Sequence, residues 1–149
     1  MAKFSFSMQN ILNIKYKIED QVKAEFAEAN HAYNQAVEKL NYYVSRQHGL
    51  EEELRQLYSN KLDIVKIRST QAGIERMEDL IKLQIIEVNK ANDLVEQVRQ
   101  KLAEAMVERK TYETLKERAF EEFLEELKKE DDKVIDELVA YRYKGETSE

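Results

Sequence analysis

Proline, cysteine and tryptophan are absent from this chain of 149 residues, and glycine occurs only three times. Because no proline removes a backbone donor or clashes with the preceding turn, very long helices are permitted. Without cysteine, disulfide frameworks and thiol chemistry are excluded, which suits a reducing compartment. Gly49, Gly73 and Gly145 stand too far apart to build a phosphate-binding loop. These absences favour a long-helical protein without a nucleotide-binding motif.

Long apolar runs and a surplus of positive charge are also missing. No segment approaches the roughly 18 apolar residues of a membrane span, and the first residues lack the apolar stretch of a signal peptide. The net charge of -6 argues against nucleic acid as a partner. Charged residues make up 36% of the chain, which is typical of a large solvated surface around a thin core. We therefore expect one structural unit in a soluble cytoplasmic protein.

What the chain does contain is a sustained heptad pattern. One apolar series runs from Val22 to Leu57 in steps of four and three, and only Gln47 in it is polar. An average spacing near 3.5 residues is typical of helices that supercoil along a narrow seam. A second series consists of Ile81, Ile85, Val88, Ala91, Val95, Val98, Leu102 and Ala105.

The limits of this pattern predict the helix bounds. We predict a first helix over about residues 8–58, a turn region over about 59–73 and a second helix over about 74–143, followed by a disordered tail over 144–149. Ser69 or Thr70 is the expected cap of the second helix. Two long helices with a short connection fold back as an antiparallel pair. The predicted fold class is all-α: an antiparallel coiled-coil hairpin whose C-terminal helix overhangs the start of the chain.

The predicted overhang carries its own apolar stripe. At 1.5 Å per residue, residues 129–143 extend about 20 Å past the start of the chain, where no other segment covers them. An exposed apolar stripe lowers solubility unless a partner buries it. The stripe consists of Val134, Ile135, Leu138, Val139 and Tyr141.

No group of residues supports catalysis or metal binding. His48 shares a helical face with Glu51 and Glu52, but a helical zinc site needs more ligands, so we interpret the three as solvated surface. The acidic run at 130–132 lacks the spacing of a calcium loop. We predict no enzymatic activity, no cofactor and no metal.

A charged segment of the second helix admits two interpretations. Arg109 stands where the heptad pattern expects an apolar residue, and Glu113 follows one turn later. Such spacing is typical of ion pairs between successive helical turns. The alternative interpretation is a docking face for a charged partner.

Three segments in order resemble the FliJ family, the soluble stalk components of the bacterial flagellar type III export apparatus. Residues 108–118 read ERKTYETLKER and resemble that family's ERK-xx-E-x-LKER segment. Asp136-Glu137-Leu138 followed by Arg142 resembles its C-terminal DE…R element. The opening, FSFSMQNIL at residues 4–12 with an acidic pair at 19–20, resembles its N-terminal element.

The resemblance implies a two-helix coiled coil similar to the stalk subunit of rotary ATPases. The partners it implies are the hexameric flagellar export ATPase, the membrane export gate protein and export chaperones. Catalysis would belong to the ATPase. The chain would lie at the cytoplasmic face of the cell membrane and would meet the membrane only through its partners.

We expect three binding surfaces. The surface for the ATPase ring comprises Val134, Ile135, Asp136, Glu137, Leu138, Val139 and Arg142. The surface from the family motif comprises Arg109, Lys110, Glu113, Lys116 and Arg118. The surface facing the gate comprises Tyr58, Leu62, Ile64 and Ile67.

Two rival functions share the same architecture. The chain would serve as a homo-oligomeric coiled-coil scaffold if its helices paired between copies and buried the C-terminal stripe in a symmetric contact. It would otherwise be the equivalent stalk of a virulence-type secretion system. Light scattering tests the first rival, and genomic neighbours test the second.

Overall fold

Two long helices form nearly the whole of this protein. The structure is a computed structural model that describes residues 3–147, with side chains described up to residue 145. Helix α1 spans Gln9–Ser59 and helix α2 spans Ile64–Thr147, and the described residues contain no strand. The predicted all-α class with two helices is confirmed.

Contacts group the chain into two compact units, in each of which parts of α1 and α2 pack antiparallel. One unit consists of the described residues of 1–19 and 104–149, and the other spans residues 20–103. In the first unit Lys15 pairs with Glu108 of α2, and in the second Glu25 pairs with Lys101. That the chain acts as a single structural unit stays a prediction.

The predicted turn region over 59–73 is wrong, because α2 begins at Ile64 and the connection is only Asn60–Asp63. The cap is Asp63, whose Oδ1 accepts the backbone amides of Val65 at 3.2 Å and Lys66 at 3.3 Å. A carboxylate at this position satisfies amides that have no partner inside the helix. The loss of the apolar heptad therefore reflects the exposure of Leu62, Ile64 and Val65 on either side of the cap, and not a long turn.

Residues 70–73 lie within α2 and contribute to packing. Thr70, an expected cap, is buried at 7% exposure. A Cβ atom built on Gly73 would lie 3.3 Å from Cδ1 of Leu50, so α1 approaches this turn of α2 closely. The absence of a side chain at Gly73 permits this close approach. Helix α2 thus starts ten residues earlier than predicted and packs through this turn.

The buried seam between the helices follows the predicted heptads at every position but one. Val22, Ala29, Val95 and Val98 form the buried cluster of the 20–103 unit. Ile85, an expected seam residue, is 44% exposed, and the preceding Gln84 is buried instead. Gln84 Nε2 donates to the Ala36 carbonyl at 2.9 Å, which satisfies its amide. A search for apolar residues alone misses this position.

The end of α2 also differs from the prediction. Helix α2 continues to Thr147, so the expected disordered tail is wrong for residues 144–147, and Ser148 and Glu149 lie outside the described residues. Gly145 has no positive φ and continues the helix. A helical glycine costs only about 1 kcal/mol relative to alanine, so it weakens a helix without ending it.

Candidate functional site

A cluster of phenylalanines joins the N-terminal segment to α2. The Phe4 ring lies 5.1 Å from the Phe120 ring, nearly edge-on, and 5.5 Å from the Phe123 ring. Phe6 is buried at 8% exposure. Edge-to-face contacts of this kind add to the stabilisation from apolar burial. The N-terminal segment thus packs against α2 around residues 120–123.

Beyond this cluster, α2 continues without cover. Leu127 is the last half-buried residue, and every residue from 128 to 145 is exposed. We call residues 128–145 the C-terminal extension; at 1.5 Å per residue it is about 27 Å long. The predicted overhang at 129–143 lies within it.

The C-terminal extension presents an apolar face. Val134, Ile135, Leu138 and Val139 are 53–63% exposed. Val134 and Leu138 are four residues apart, as are Ile135 and Val139, and residues four apart align along a helix. Because the two pairs are adjacent, all four side chains lie on one face. By the same geometry Arg142 shares that face, whereas Asp136 and Glu137 lie away from its centre. The structure therefore groups the predicted apolar residues with one of the three predicted polar ones.

A second cluster joins the two helices through charge. Arg109 Nε donates to Glu19 Oε2 at 2.6 Å, and Arg109 Nη2 donates to Glu19 Oε1 at 3.2 Å. Arg109 Nη1 also donates to Glu113 at 3.0 Å, and the Tyr16 hydroxyl donates to the other oxygen of Glu113 at 2.6 Å. We call these four residues the Arg109 network. Charge-assisted, two-pronged contacts of this type fix geometry as well as energy.

The Arg109 network bears on the two interpretations of the charged segment. The side chain of Arg109 is 18% exposed and that of Glu19 only 5%, so both lie between the helices. The pair from Arg109 to Glu113 is the predicted contact between helical turns. Lys110 and Arg118 are exposed and Lys116 is half-buried. Arg109 and Glu113 therefore serve the packing of α1 on α2, while docking by the other motif residues stays a prediction.

Sequence reasoning missed Glu19 as the partner of Arg109. Counting back along the first heptad series from Val22 by three reaches Glu19, and a further seven reaches Leu12, which is 1% exposed. Extending the series toward the N-terminus, with polar residues allowed, would have placed Glu19 in the seam.

The hydrogen bonds of the network shift its pKa values. The bond from Tyr16 lowers the pKa of Glu113, and the bond from Arg109 adds to this, while desolvation opposes both. The bond to Glu113 raises the pKa of the Tyr16 hydroxyl. Bonds to Glu19 and then to Glu113 raise the pKa of Arg109. Each shift favours the ionised carboxylate held between the helices.

We expect the network to make stability depend on pH in acid. Since the folded pKa of Glu113 lies below the ordinary value of 4.5, its stabilisation is complete above that pH and is lost as pH falls through the folded pKa. The Glu113→Gln variant should melt at a lower temperature than the parent at neutral pH, and its loss of stability on acidification should be smaller. Thermal melts followed by circular dichroism between about pH 7 and pH 3 measure both effects.

The matched control is Glu117→Gln, at an exposed carboxylate that forms no ion pair among the described residues. It should follow the parent at every pH. Equal acid sensitivity of the parent and the Glu113→Gln variant would contradict the assignment.

The connection between the helices exposes another apolar group. Tyr58, Leu62 and Ile64 are 55%, 66% and 64% exposed, whereas Ile67 is half-buried. Val65 is 78% exposed and was not among the residues expected to face the gate. We call Tyr58, Leu62, Ile64 and Val65 the turn surface. Val65 is recognisable in the sequence as an apolar residue outside the heptads and next to a lysine.

Two further questions are whether the described residues could hold a metal ion and whether either helix could span a membrane. His48 Nδ1 lies 3.5 Å from Glu51 Oε2, and both side chains are exposed. Among the residues that the structure describes, no group of three or more potential ligands is placed to hold a metal ion. Over the same range, no helix combines the length and apolarity needed to cross a bilayer.

Comparison with known proteins adds one finding. A family model described as "Flagellar FliJ protein" matches residues 4–148, which is nearly the whole chain. The match includes the C-terminal extension, the Arg109 network and the turn surface. Searches among curated proteins and among solved structures found no match.

Proposed function

This chain belongs to the FliJ family of flagellar, export-related proteins, and from that membership we propose that it is a stalk-like component of the flagellar protein export apparatus. In this proposal it binds the hexameric export ATPase and links the ring to the membrane export gate, at the cytoplasmic face of the cell membrane. Export chaperones are further partners. The family is not known for enzymatic activity, and ATP hydrolysis belongs to the ring.

The observation that carries the proposal is the exposed apolar face of the C-terminal extension. Residues 128–145 are helical and exposed, and Val134, Ile135, Leu138 and Val139 share one face. An uncovered apolar face on a helix suits a partner that surrounds the helix or receives it in a groove, because burial there removes apolar area from water. The central opening of a ring offers such a surface, and Arg142 supplies a polar contact on the same face.

The turn surface is the proposed contact with the export gate. Its four side chains are all more than half exposed. They lie in the 20–103 unit, whereas the C-terminal extension belongs to the other unit. The two proposed surfaces therefore share no residue.

Binding to the assembled ATPase tests the proposal. The full chain is mixed with the purified ATPase and a non-hydrolysable nucleotide, and the mixture is separated by size-exclusion chromatography. We expect the chain to elute with the hexamer, and to do so equally well after Leu83→Ser and Leu94→Ser, two exposed apolar positions outside the proposed surfaces. Elution of the chain apart from the ring would contradict the proposal. A stable dimer by light scattering would instead support the scaffold.

A further inference from the structure

We propose that the turn surface also binds directly to anionic lipid, as a peripheral contact with the surface of a bilayer. This contact is independent of the ATPase and of the gate protein. It differs from the expectation that the chain meets the membrane only through its partners, because here the chain itself contacts the lipid. Two independent features of the turn support it, the placement of its apolar side chains and the sign of its charge.

The apolar part of the turn surface has the size and position of an interfacial anchor. Leu62, Ile64 and Val65 lie within four successive positions at the connection and are 64–78% exposed. Tyr58, in the last turn of α1, is 55% exposed and carries a polar hydroxyl on an apolar ring. Side chains of this kind gain by entering the boundary between headgroups and acyl chains, and tyrosine favours that depth.

The charge of the turn is opposite to that of the whole chain. From Lys61 to Arg68 the chain has three basic residues, Lys61, Lys66 and Arg68, and a single acidic residue, Asp63, although the net charge of the chain is -6. Lys61, Lys66 and Arg68 form no ion pair among the described residues. Basic residues next to exposed apolar ones are attracted to anionic lipids, and salt screens this attraction.

The single acidic residue is already engaged. Asp63 accepts the amides of Val65 and Lys66, so its carboxylate is held against the positive end of α2. It therefore opposes the neighbouring lysines less than a free carboxylate would. The turn surface thus presents aliphatic side chains beside three basic residues that form no ion pair among the described residues.

Two other groups of exposed apolar residues lack this combination. Residues 128–145 include five acidic and five basic residues, so no net charge attracts the C-terminal extension to an anionic surface. Leu83 and Leu94 are 62% and 48% exposed, and the segment 78–96 around them has five acidic residues and two basic ones. An anionic bilayer would repel that segment. The sign of the local charge therefore favours the turn over both of these segments as the lipid-binding site.

Co-sedimentation with lipid vesicles tests the inference. The full chain is spun with vesicles of phosphatidylcholine, either pure or with about one third phosphatidylglycerol. We expect binding to the anionic vesicles, loss of binding in about 0.5 M salt, and little binding to pure phosphatidylcholine. Leu62→Ser with Val65→Ser should lower the affinity about tenfold or more. Each of Lys61→Gln and Lys66→Gln should lower it about fivefold.

The matched control is the Leu83→Ser, Leu94→Ser variant, which should bind vesicles as the parent does. Circular dichroism checks that every variant keeps its helices. Absence of binding to anionic vesicles, or equal binding by the Leu62→Ser, Val65→Ser variant, would overturn the inference. Binding only to vesicles that carry the export gate protein would also overturn it and assign the turn surface to a protein partner. None of these outcomes changes the test with the ATPase.

Discussion

A chain that ends at Lys128 is expected to lose its binding to the export ATPase ring and to keep the helical structure of its remaining residues. The truncation removes residues 129–149, which include all seven residues of the proposed ring-binding surface. Fully burying one aliphatic side chain contributes about 1.5–3 kcal/mol. Even if the ring realises half of that for the four apolar residues, the affinity falls about a hundredfold or more.

The remaining helices should be unaffected, because residues 129–145 are all exposed. Circular dichroism should show the same ellipticity per residue, and the melting temperature should match that of the full chain. A truncated chain that still elutes with the ATPase hexamer would show that the ring binds elsewhere.

Two substitution variants separate the apolar face from the length of the C-terminal extension. Replacing Val134, Ile135, Leu138 and Val139 with serine keeps the length and should abolish binding as the truncation does. Replacing Lys129 and Lys133 with glutamine alters exposed residues that lie outside the proposed ring-binding surface and should leave most of the binding intact. If both variants bind equally, the apolar face does not carry the contact.

Leu12→Ala is expected to give the largest loss of stability from a single substitution. Leu12 is 1% exposed, and it is the only fully buried large side chain in the described part of the protein. Truncating a buried leucine to alanine removes apolar contacts and leaves a cavity, at a cost of about 2–5 kcal/mol. For a protein of this size the melting temperature should fall by roughly 5–15 °C.

The neighbouring residue supplies a matched control. Ile11 is 39% exposed and has the same number of side-chain carbon atoms as Leu12, so Ile11→Ala should cost about 1 kcal/mol or less. Urea unfolding followed by circular dichroism measures both differences in the free energy of unfolding. Similar losses for Ile11→Ala and Leu12→Ala would mean that Leu12 is not in the packed interior.

The helix bounds show where local reasoning succeeds and fails. The end of α1 was predicted to within one residue, because the heptad series stops at Leu57 and polar residues follow. The start of α2 was placed ten residues late. Leu62, Ile64 and Val65 are exposed and belong to no seam, so periodicity alone suggests that the helix is interrupted there. Asp63 was the missing signal, since a cap depends on one side chain and not on a period.

The predicted C-terminal surface is exposed, as are three of the four residues of the predicted gate surface, whereas Ile67 is half-buried. The partners of both surfaces stay proposals. The stripe at Val134–Val139 was predictable because a helix longer than its partner leaves its end uncovered. The resemblance to the FliJ family was likewise readable from three short segments, and the family match over residues 4–148 confirms it. The role of Arg109 was not predictable in the same way, because its spacing fits both an ion pair and a docking face.

The amino-acid sequence by itself determined the all-α class, the number of helices and most of the apolar seam. These follow from properties within single helices, namely the absence of proline and the repeat of about 3.5 residues. Only the tertiary structure decided which polar residues enter the seam. Gln84 finds its acceptor 48 residues away and Arg109 finds Glu19 at a separation of 90 residues. A buried polar group is stable only with its partner in place, and that partner is on the other helix.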